Sequence, residues 1–187
     1  MSEDAECMRR VQVGDSAALG ALMERWELRV KGLLLRLLHN SGEAQDLTQE
    51  TFVRVWQQRA QFRAGAEFRP WLFAIAVNLA RNRLRWWRRR PTVPLQDWDG
   101  AELAAAGPSE GGPALERRER AEAVRAAIAA LPREWRESII LFEFEQMPYA
   151  EIAAAVGSTP KAVELRLYRA RAALRDALQP WAEHYKS

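Results

Sequence analysis

Apolar residues recur every three or four positions from Leu19 onward, which is the spacing of an amphipathic helix. This helix is expected to begin after the cap candidates Asp15 and Ser16 and to end near Asn40-Ser41-Gly42. Its apolar stripe consists of Leu22, Met23, Trp26, Val30, Leu33, Leu34, Leu37 and Leu38. The pattern therefore predicts the first long helix of a folded domain.

Two more helices are predicted before residue 90. One should run from about Glu43 to Gln58. Its inner face is expected to consist of Ala44, Leu47, Thr51 and Val55, with Phe52 and Trp56 beside it. After a loop at Ala64-Gly65-Ala66, Pro70 is well placed as the first residue of a third helix. This helix continues into a run of arginines and carries inward Leu72, Ile75, Ala76 and Leu79.

The periodic pattern stops between about Pro91 and Ala114, where prolines and glycines leave no room for a regular element. A flexible tether of roughly 25 residues has an r.m.s. span of about 25–30 Å and a stretched limit of about 80 Å. One turn of duplex DNA is about 34–36 Å long. Two modules joined by this tether would therefore be able to occupy separate stretches of one duplex.

Helical periodicity returns after the tether and ends in a helix-turn-helix pattern. One helix should stop at Leu131-Pro132, and another should run from Trp135 to Phe144. A short helix from Tyr149 to Val156, a Gly157-Ser158-Thr159 turn and a longer helix from Pro160 to about Leu178 follow. No segment has the alternation of a strand-rich domain. We predict an all-α fold with two small helical domains, 1–90 and 116–187, joined by a flexible linker at 91–115.

The charge of this 187-residue chain is clustered, although its formal net value is only +3. Between Phe68 and Gln96 lie seven arginines and no acidic residue, which makes a polyanion the expected partner. One cysteine and two histidines provide neither an internal disulfide nor a zinc site, so we expect no metal or cofactor. Apolar runs fall far short of the ~20 residues of a bilayer span, and no signal peptide is evident. A cytoplasmic protein without membrane insertion is expected.

An amide-and-arginine stripe follows the outer face of the third predicted helix. Its members lie at helical spacings and are Asn78, Arg81, Asn82, Arg85 and Arg89. Asparagine reads base edges, arginine neutralises phosphate, and aromatic rings offer planes on which unpaired bases stack. The rings nearby are Phe62, Phe68, Trp71, Trp86 and Trp87. The alternative is that the rings are mostly core and the arginines merely solvated.

The second predicted helix carries the opposite charge, with Asp46, Gln49 and Glu50 side by side near Trp56. Paired carboxylates can perform acid–base catalysis, but that chemistry requires a pocket and a second catalytic group, and we identify neither on this amphipathic helix. An acidic helix edged by an aromatic residue is better suited to docking on a basic protein surface. An ordinary solvated face is the alternative.

In a helix-turn-helix, the second helix enters the major groove of DNA. The small core of this motif is predicted to consist of Ile152, Val156, Val163 and Leu167. The residues that face outward or lie at the edge are Lys161, Glu164, Leu165, Tyr168, Arg169 and Arg171. Such arginines contact phosphates or base edges, and Lys161 lies where a helix N-terminus favours an anion. A plain helical hairpin with a solvated basic face is the alternative.

Three stretches together resemble the signature segments of extracytoplasmic-function sigma factors. They are Asp46 to Trp56 (DLTQETFVRVW), Phe68 to Asn82 (beginning FRPWL) and Tyr149 to Arg171, and they occur in the family's order. The resemblance extends over about residues 13–178. It implies a non-enzymatic subunit that binds core RNA polymerase, directs it to specific promoters and opens promoter DNA. It also implies an anti-sigma factor that covers both domains.

The resemblance further implies a role for each surface. The second helix would bind the coiled-coil clamp of the largest polymerase subunit through Asp46, Gln49 and Glu50, with Phe52 and Trp56 nearby. The region from Phe62 to Asn82 would melt the upstream promoter element and capture a flipped base, whose extrusion costs a few kcal/mol. The predicted contacts to single-stranded DNA are Phe62, Phe68, Trp71, Asn78, Arg81, Asn82 and Arg85. The C-terminal module would read the upstream element as duplex.

The recognition helix departs from the family pattern. Glu164 and Leu165 stand where many relatives carry a basic residue followed by serine. Glutamate repels phosphate but accepts a hydrogen bond from the cytosine amino group, so the duplex sequence is left open. Two other functions are also considered. One is a stand-alone helix-turn-helix regulator that binds operator DNA as a dimer, and the other is an enzyme acting on nucleic acid.

Overall fold

The computed structural model describes residues 2–90 and 112–184, with side chains for 2–90 and 116–180. Within these ranges the regular elements are all helical, so the predicted all-α fold is confirmed. The helices are α1 (Glu3–Gln12), α2 (Ser16–Leu38), α3 (Ser41–Gln57), α4 (Phe68–Arg89), α5 (Gly112–Ala130), α6 (Arg133–Glu143), α7 (Tyr149–Val156) and α8 (Pro160–His184). A short 3₁₀ helix, Arg59–Gln61, precedes α4. Most of the predicted tether, residues 91–111, lies outside the described residues.

Helix boundaries in the N-terminal half follow from side-chain caps. The Asp15 carboxylate accepts a hydrogen bond from the Ala18 amide (3.1 Å) and begins α2 as predicted. Asn40 caps α3 in the same way, because its amide oxygen accepts from the Glu43 amide at 2.8 Å. Between these two helices His39 adopts the left-handed conformation (φ 55°), which ends α2 and allows the sharp turn. α2 and α3 therefore pack as neighbours with a connection of only two residues.

Helix α1 was not predicted from the sequence. Ser2 caps it, its first turn is acidic and its last turn is basic, which is the charge order that a helix dipole favours. Ala5, Met8 and Val11 form a buried stripe against α2. Cys7 beside it is buried as well, and these few positions lie among charged residues in the sequence, so no clear apolar stripe is evident there.

The predicted core of the N-terminal half is largely confirmed. In the α2 stripe all predicted residues are buried except Met23, which is partly buried. In α3 the predicted inner residues Ala44, Leu47, Thr51 and Val55 are all buried. The Thr51 hydroxyl donates to the Leu47 carbonyl at 2.7 Å, so this polar group enters the core without losing a hydrogen bond.

Two prolines lie inside the first turns of helices rather than before them. α4 begins at Phe68, two residues earlier than predicted, and α5 begins at Gly112, inside the segment predicted as linker. Pro70 and Pro113 fall in the first turn, where backbone amides have no partner within the helix, so the missing N–H costs nothing. The prediction began α4 two residues too late because it put Pro70 at the first helical position, and it left Pro113 outside any helix.

The C-terminal half folds as the predicted helix-turn-helix. α7 ends at Gly157, whose φ of 69° is accessible to glycine at no steric cost. α8 begins after Thr159, whose hydroxyl accepts from the Ala162 amide at 3.2 Å. The small core predicted for the motif is confirmed, since Ile152, Val156, Val163 and Leu167 are all buried.

The two halves lie against each other. α7 packs on α4 and α6 packs on α2, and the buried apolar side chains of both halves form one cluster. One face of α4 therefore lies toward solvent, and another face packs against α7. No helix in the described residues is long and apolar enough to cross a membrane.

His39 lies near Arg136 of α6, where the two halves meet. Burial, and secondarily the charge of Arg136, lower the pKa of His39 to about 4. Because this pKa is below the value of about 6.5 in an unfolded chain, the unfolded state binds more protons between those two values. The stability that depends on a neutral His39 is complete above pH 6.5 and is lost as the pH falls toward 4.

The substitution His39→Asn tests this linkage, since asparagine also adopts the left-handed conformation. The native chain should lose about 1 kcal/mol of unfolding free energy at this site between pH 7 and pH 5, after allowance for solvent around the partly exposed ring. Over the same pH interval, the His39→Asn variant should lose about 1 kcal/mol less of its unfolding free energy than the native chain. Urea unfolding of both proteins at the two pH values measures the difference, and equal losses would contradict the prediction.

Candidate functional site

The acidic face of α3 is presented to solvent. Asp46 and Gln49 are exposed, and Glu50 is partly exposed. The Glu50 carboxylate accepts a hydrogen bond from Arg54, one turn further along, at 3.0 Å. An exposed pair of this kind contributes only about 0.3–0.5 kcal/mol, so the carboxylate can exchange partners at little cost. The opposite side of α3 is buried, which fixes the direction in which these three residues point.

The two aromatic residues predicted beside this face differ in position. Phe52 is 2% exposed and belongs to the core, so it supports α3 from beneath and presents no contact surface in this conformation. Trp56 is partly exposed, and the guanidinium of Arg59 lies over its ring at 4.4 Å from the centroid. The accessible part of the α3 surface is therefore Asp46, Gln49 and Glu50, with Trp56 at its edge.

The rings predicted to stack on DNA bases are divided between core and surface. Phe62 and Phe68 are 4% and 1% exposed and pack edge-on, with ring centroids 6.3 Å apart. In this conformation neither presents a face to a base, because both rings are buried. Phe68 packs against Trp26 of α2, and Phe62 packs against Phe68 and Trp71. Trp71 meets Phe62 edge-on, with ring centroids 5.2 Å apart, and is partly exposed. Trp86 is 43% exposed.

A side chain from the unpredicted helix α1 holds the segment before α4. The Gln12 amide donates to the backbone carbonyl of Arg59 at 3.0 Å and to that of Phe62 at 2.8 Å. These two bonds attach the loop to α1 across about fifty residues of sequence. The sequence contains no local signal for this contact, because a lone glutamine at the end of a short helix is common on protein surfaces.

The stripe on α4 is exposed except at one residue. Asn78, Asn82, Arg85 and Arg89 are exposed, whereas Arg81 is only partly so. The Asn82 amide oxygen accepts a hydrogen bond from Arg85, and the amide N–H groups are the donors of this exposed side chain. Asparagine and arginine are held together at the surface in a way that suits a ligand with both phosphate and base edges.

The acidic surface and the stripe meet in one groove. Between α3 and α4 a cleft of about 430 Å³ is lined by Glu50, Arg54 and Trp86, and by Asn82 from the stripe. An ion pair between Glu43 and Arg83 links the two helices beside it. Partners bound to the two surfaces would therefore lie next to each other.

Arg81 is engaged by the C-terminal half. Its Nε donates to Glu137 Oε1 at 2.9 Å and its Nη2 to Glu137 Oε2 at 2.7 Å, which is the bidentate geometry of a strong pair. Nη2 also donates to the Val156 carbonyl at 3.1 Å, at the C-terminal end of α7. The hydrogen bonds that the Arg81 guanidinium donates to Glu137 raise the pKa of Arg81. Arg81 belongs to the predicted stripe, but its partner lies 56 residues away, and no local pattern in the sequence indicates it.

On the helix-turn-helix, all six predicted contact residues are exposed: Lys161, Glu164, Leu165, Tyr168, Arg169 and Arg171. Lys161 and Glu164 pair at 3.0 Å within the first turn of α8, and Arg171 pairs with Glu143 of α6 at 3.0 Å. Tyr168 is 74% exposed and Leu165 is 47% exposed, so two large apolar groups face solvent on this helix. Apolar groups at such positions can contact thymine methyls.

Within the described residues no group of three or more histidine, cysteine or carboxylate side chains could hold a metal ion. A helix-turn-helix, a basic helix with exposed asparagines and an acidic helix beside it are together typical of a transcription protein that contacts both nucleic acid and another protein.

The comparisons with known proteins identify the class. The chain matches the family model for sigma-70 region 2 over residues 22–90 and that for sigma-70 region 4 over residues 121–174. It is 34% identical to the RNA polymerase sigma-H factor of Pseudomonas aeruginosa over 183 residues, covering 95% of each chain. It is also 34% identical to the RNA polymerase sigma factor CarQ of Myxococcus xanthus, covering 91% of this chain and 95% of that one.

Two solved structures have a similar fold. CnrH in complex with the cytosolic domain of CnrY has a TM-score of 0.73 and 26% identity, covering 96% of this chain and 99% of that one. The sigma factor RpoE in complex with the anti-sigma factor NepR, from Bartonella quintana, has a TM-score of 0.64 and 24% identity, covering 86% and 96%. The chain belongs to the extracytoplasmic-function sigma factors, and it directs RNA polymerase to promoters. The match over both regions disfavours a stand-alone regulator.

Proposed function

We propose that the sigma-factor activity is divided among three surfaces of this chain. The first is the α3 surface of Asp46, Gln49, Glu50 and Trp56, which docks on core RNA polymerase. The observation that carries this proposal is the exposure of Asp46 and Gln49 on a helix whose other face is buried. Exposed carboxylates on a rigid helix steer association with a basic surface and set its orientation.

The second surface is the outer face of α4, which contacts the separated strands of the promoter. Asn78 and Asn82 supply hydrogen bonds to base edges, Arg85 neutralises phosphate, and Trp71 and Trp86 offer ring surface for stacking. Phe62 and Phe68 contribute indirectly, because they pack beneath Trp71 and hold it in place. A direct contact of either phenylalanine with a flipped base would require the loop before α4 to open.

The third surface is the exposed face of α8, which enters the major groove of the upstream duplex element. Lys161, Arg169 and Arg171 contact phosphates, whereas Glu164, Leu165 and Tyr168 reach base edges. All six are exposed on one helix that the turn at Gly157 positions, and this arrangement supports the assignment.

The chain acts without catalysis of its own, in the cytoplasm, and an anti-sigma factor restrains it. The last point is supported by the similar fold of the Bartonella quintana sigma factor RpoE, which was solved in complex with the anti-sigma factor NepR. Run-off transcription with core polymerase on a randomised promoter library tests the proposal as a whole. We expect start sites on a small set of related promoters. Transcription no higher than that of core polymerase alone would contradict the function.

The same library tests the role of Glu164. Replacing Glu164 with lysine should change the preferred base at one position of the duplex element, because acceptance from a cytosine amino group is lost. Each such contact contributes about 1–3 kcal/mol of discrimination. As a control, Lys161→Gln should weaken transcription from all promoters to a similar extent, since a phosphate contact has no base preference. An unchanged ranking of promoters with Glu164→Lys would show that this residue does not read a base.

A further inference from the structure

Four aromatic rings form a continuous row that begins in α2 and ends at Trp71 of α4. Trp26 packs edge-on against Phe68, with ring centroids 6.1 Å apart. Phe68 packs against Phe62 at 6.3 Å, and Phe62 packs against Trp71 at 5.2 Å. The first three rings are buried, whereas Trp71 is partly exposed. The place of the accessible ring in this aromatic row therefore depends on the rings beneath it.

Helix α1 binds a polar group at each end of the aromatic row. At one end, the indole N–H of Trp26 donates to the Asp4 carboxylate at 3.2 Å, which satisfies the polar atom of a buried ring. At the other end, Gln12 donates from Nε2 to the backbone carbonyls of Arg59 and Phe62. A side-chain amide has two N–H donors, so both donors of Gln12 are used. The backbone of the row is thereby attached to α1 at Phe62.

The segment that Gln12 holds is short and precedes an exposed turn. Arg59–Gln61 forms the 3₁₀ helix, and Gln12 binds the carbonyl at its start and the carbonyl directly after it. Residues 63–65 are exposed, so the turn that they form has few contacts that would keep Phe62 in place. The two hydrogen bonds join residues 47 and 50 positions apart and therefore fix this segment relative to α1.

We infer that Gln12 is a positioning residue for promoter opening, because it fixes Phe62 against Trp71 and so keeps the Trp71 ring ready for an unpaired base. The inference rests on the proposed stacking of a base on Trp71 and adds the residue that sets the place of this ring. A group that is already ordered binds more tightly than one that must be ordered on binding. Gln12 acts through Phe62 and is not itself assigned a contact with DNA.

The test uses the holoenzyme that the full-length chain forms with core RNA polymerase, and two fluorescent DNA probes from one promoter of the run-off library. The fork probe carries the upstream duplex element and a single-stranded melting element, and the duplex probe ends before the melting element. Gln12→Met keeps the length of the side chain but removes both donors. It should weaken binding of the fork probe by about 5- to 30-fold, which is the effect of two hydrogen bonds. Binding of the duplex probe, followed by anisotropy in the same way, should be unchanged.

A double-mutant cycle with Trp71→Ala tests whether Gln12 acts through the ring. Trp71→Ala alone should weaken binding of the fork probe. In the Trp71→Ala chain, Gln12→Met should have little further effect, since no ring is left to position. A substitution that merely loosened the fold would act equally with and without the ring. Gln12→Lys retains N–H donors on a side chain of similar length and should keep most of the native affinity. A loss as large as that of Gln12→Met would contradict the role of the donors.

The control variant is Arg9→Met, at an exposed residue of α1 that pairs with Glu6 of the same helix. It should change the binding of neither probe. If Gln12→Met does not fold, Gln12→Ala removes the same donors and takes its place in the cycle.

The outcomes separate failure of the inference from failure of the proposed function. If Trp71→Ala leaves binding of the fork probe unchanged, the proposed stacking fails, and the inference fails with it. If Trp71→Ala weakens binding but Gln12→Met does not, or if the two effects add, the stacking stands and the positioning role of Gln12 is refuted. Equal weakening of both probes by Gln12→Met also refutes this role.

Discussion

Replacing Glu50 with arginine is expected to reduce the affinity of this sigma factor for core RNA polymerase by at least about 100-fold. Breaking one side of a buried interfacial charge pair costs about 2–5 kcal/mol, and an arginine would also repel the basic surface on which α3 docks. The fold should be unaffected, because Glu50 is partly exposed and its only loss is an exposed pair with Arg54 worth about 0.3–0.5 kcal/mol. Surface-plasmon or fluorescence titration against core enzyme measures the change.

A matched control for this variant exists in α5. Glu122 is also an exposed glutamate paired with an arginine four residues away, in this case Arg118 at 3.3 Å. Glu122→Arg makes the same charge change on another helix and should leave polymerase affinity within about threefold of the native value. Equal losses in the two variants would mean that net charge, and not the α3 surface, governs association. An undiminished affinity of Glu50→Arg would refute the docking surface.

The double variant Arg81→Gln, Arg85→Gln is expected to weaken promoter opening and to flatten its salt dependence. Each lost phosphate contact on a single strand lowers the slope of log K against log salt by about 0.7. Losing Arg85 should therefore lower it by about 0.7, and losing Arg81 as well, which can contact phosphate only after it leaves Glu137, should bring the total to about 1.4. Binding of a single-stranded oligonucleotide between 50 and 200 mM salt measures the slope. Arg118→Gln, at a highly exposed arginine of α5, provides the control.

As single substitutions, Arg81→Gln and Arg85→Gln should have different effects on the free energy of unfolding. Arg81→Gln leaves the buried Glu137 without its main cation, which costs about 3–5 kcal/mol of unfolding free energy. Arg85→Gln alone should change it by less than about 0.5 kcal/mol, because Arg85 is exposed. Urea unfolding of each single variant separates the two effects. If the double variant and the native chain have the same salt slope, these arginines do not contact phosphate.

Local pattern was sufficient for much of the fold. Apolar spacing located α2, α3 and α4, and the turn at Gly157 together with the cap at Thr159 located the helix-turn-helix. These features depend on residues within one or two turns of each other, and their physical causes are side-chain burial and hydrogen bonding to nearby backbone. For the same reason the exposed face of α3 was predicted from its spacing.

The same local pattern did not predict that the rings of Phe62 and Phe68 are buried, and it did not predict helix α1. Phe62 and Phe68 lie among residues that suit nucleic-acid binding, yet both are buried, Phe68 against Trp26 of α2 and Phe62 against Phe68. An aromatic residue is equally suited to a core and to a base-stacking surface, so its neighbours decide between the two. α1 was not predicted because Ala5, Met8 and Val11 form a core-facing stripe only when α2 packs against them.

By itself, the sequence determined that the chain is all-α, that its N-terminal half has an acidic helix and a basic one, and that its C-terminal half is a helix-turn-helix. Only the tertiary structure decided which arginines are available. Arg81 and Arg85 occupy the same stripe, but Arg81 meets a carboxylate 56 residues away and Arg85 remains at the surface. Helical periodicity specifies the face on which a side chain lies, whereas its partner is selected by packing between elements distant in sequence.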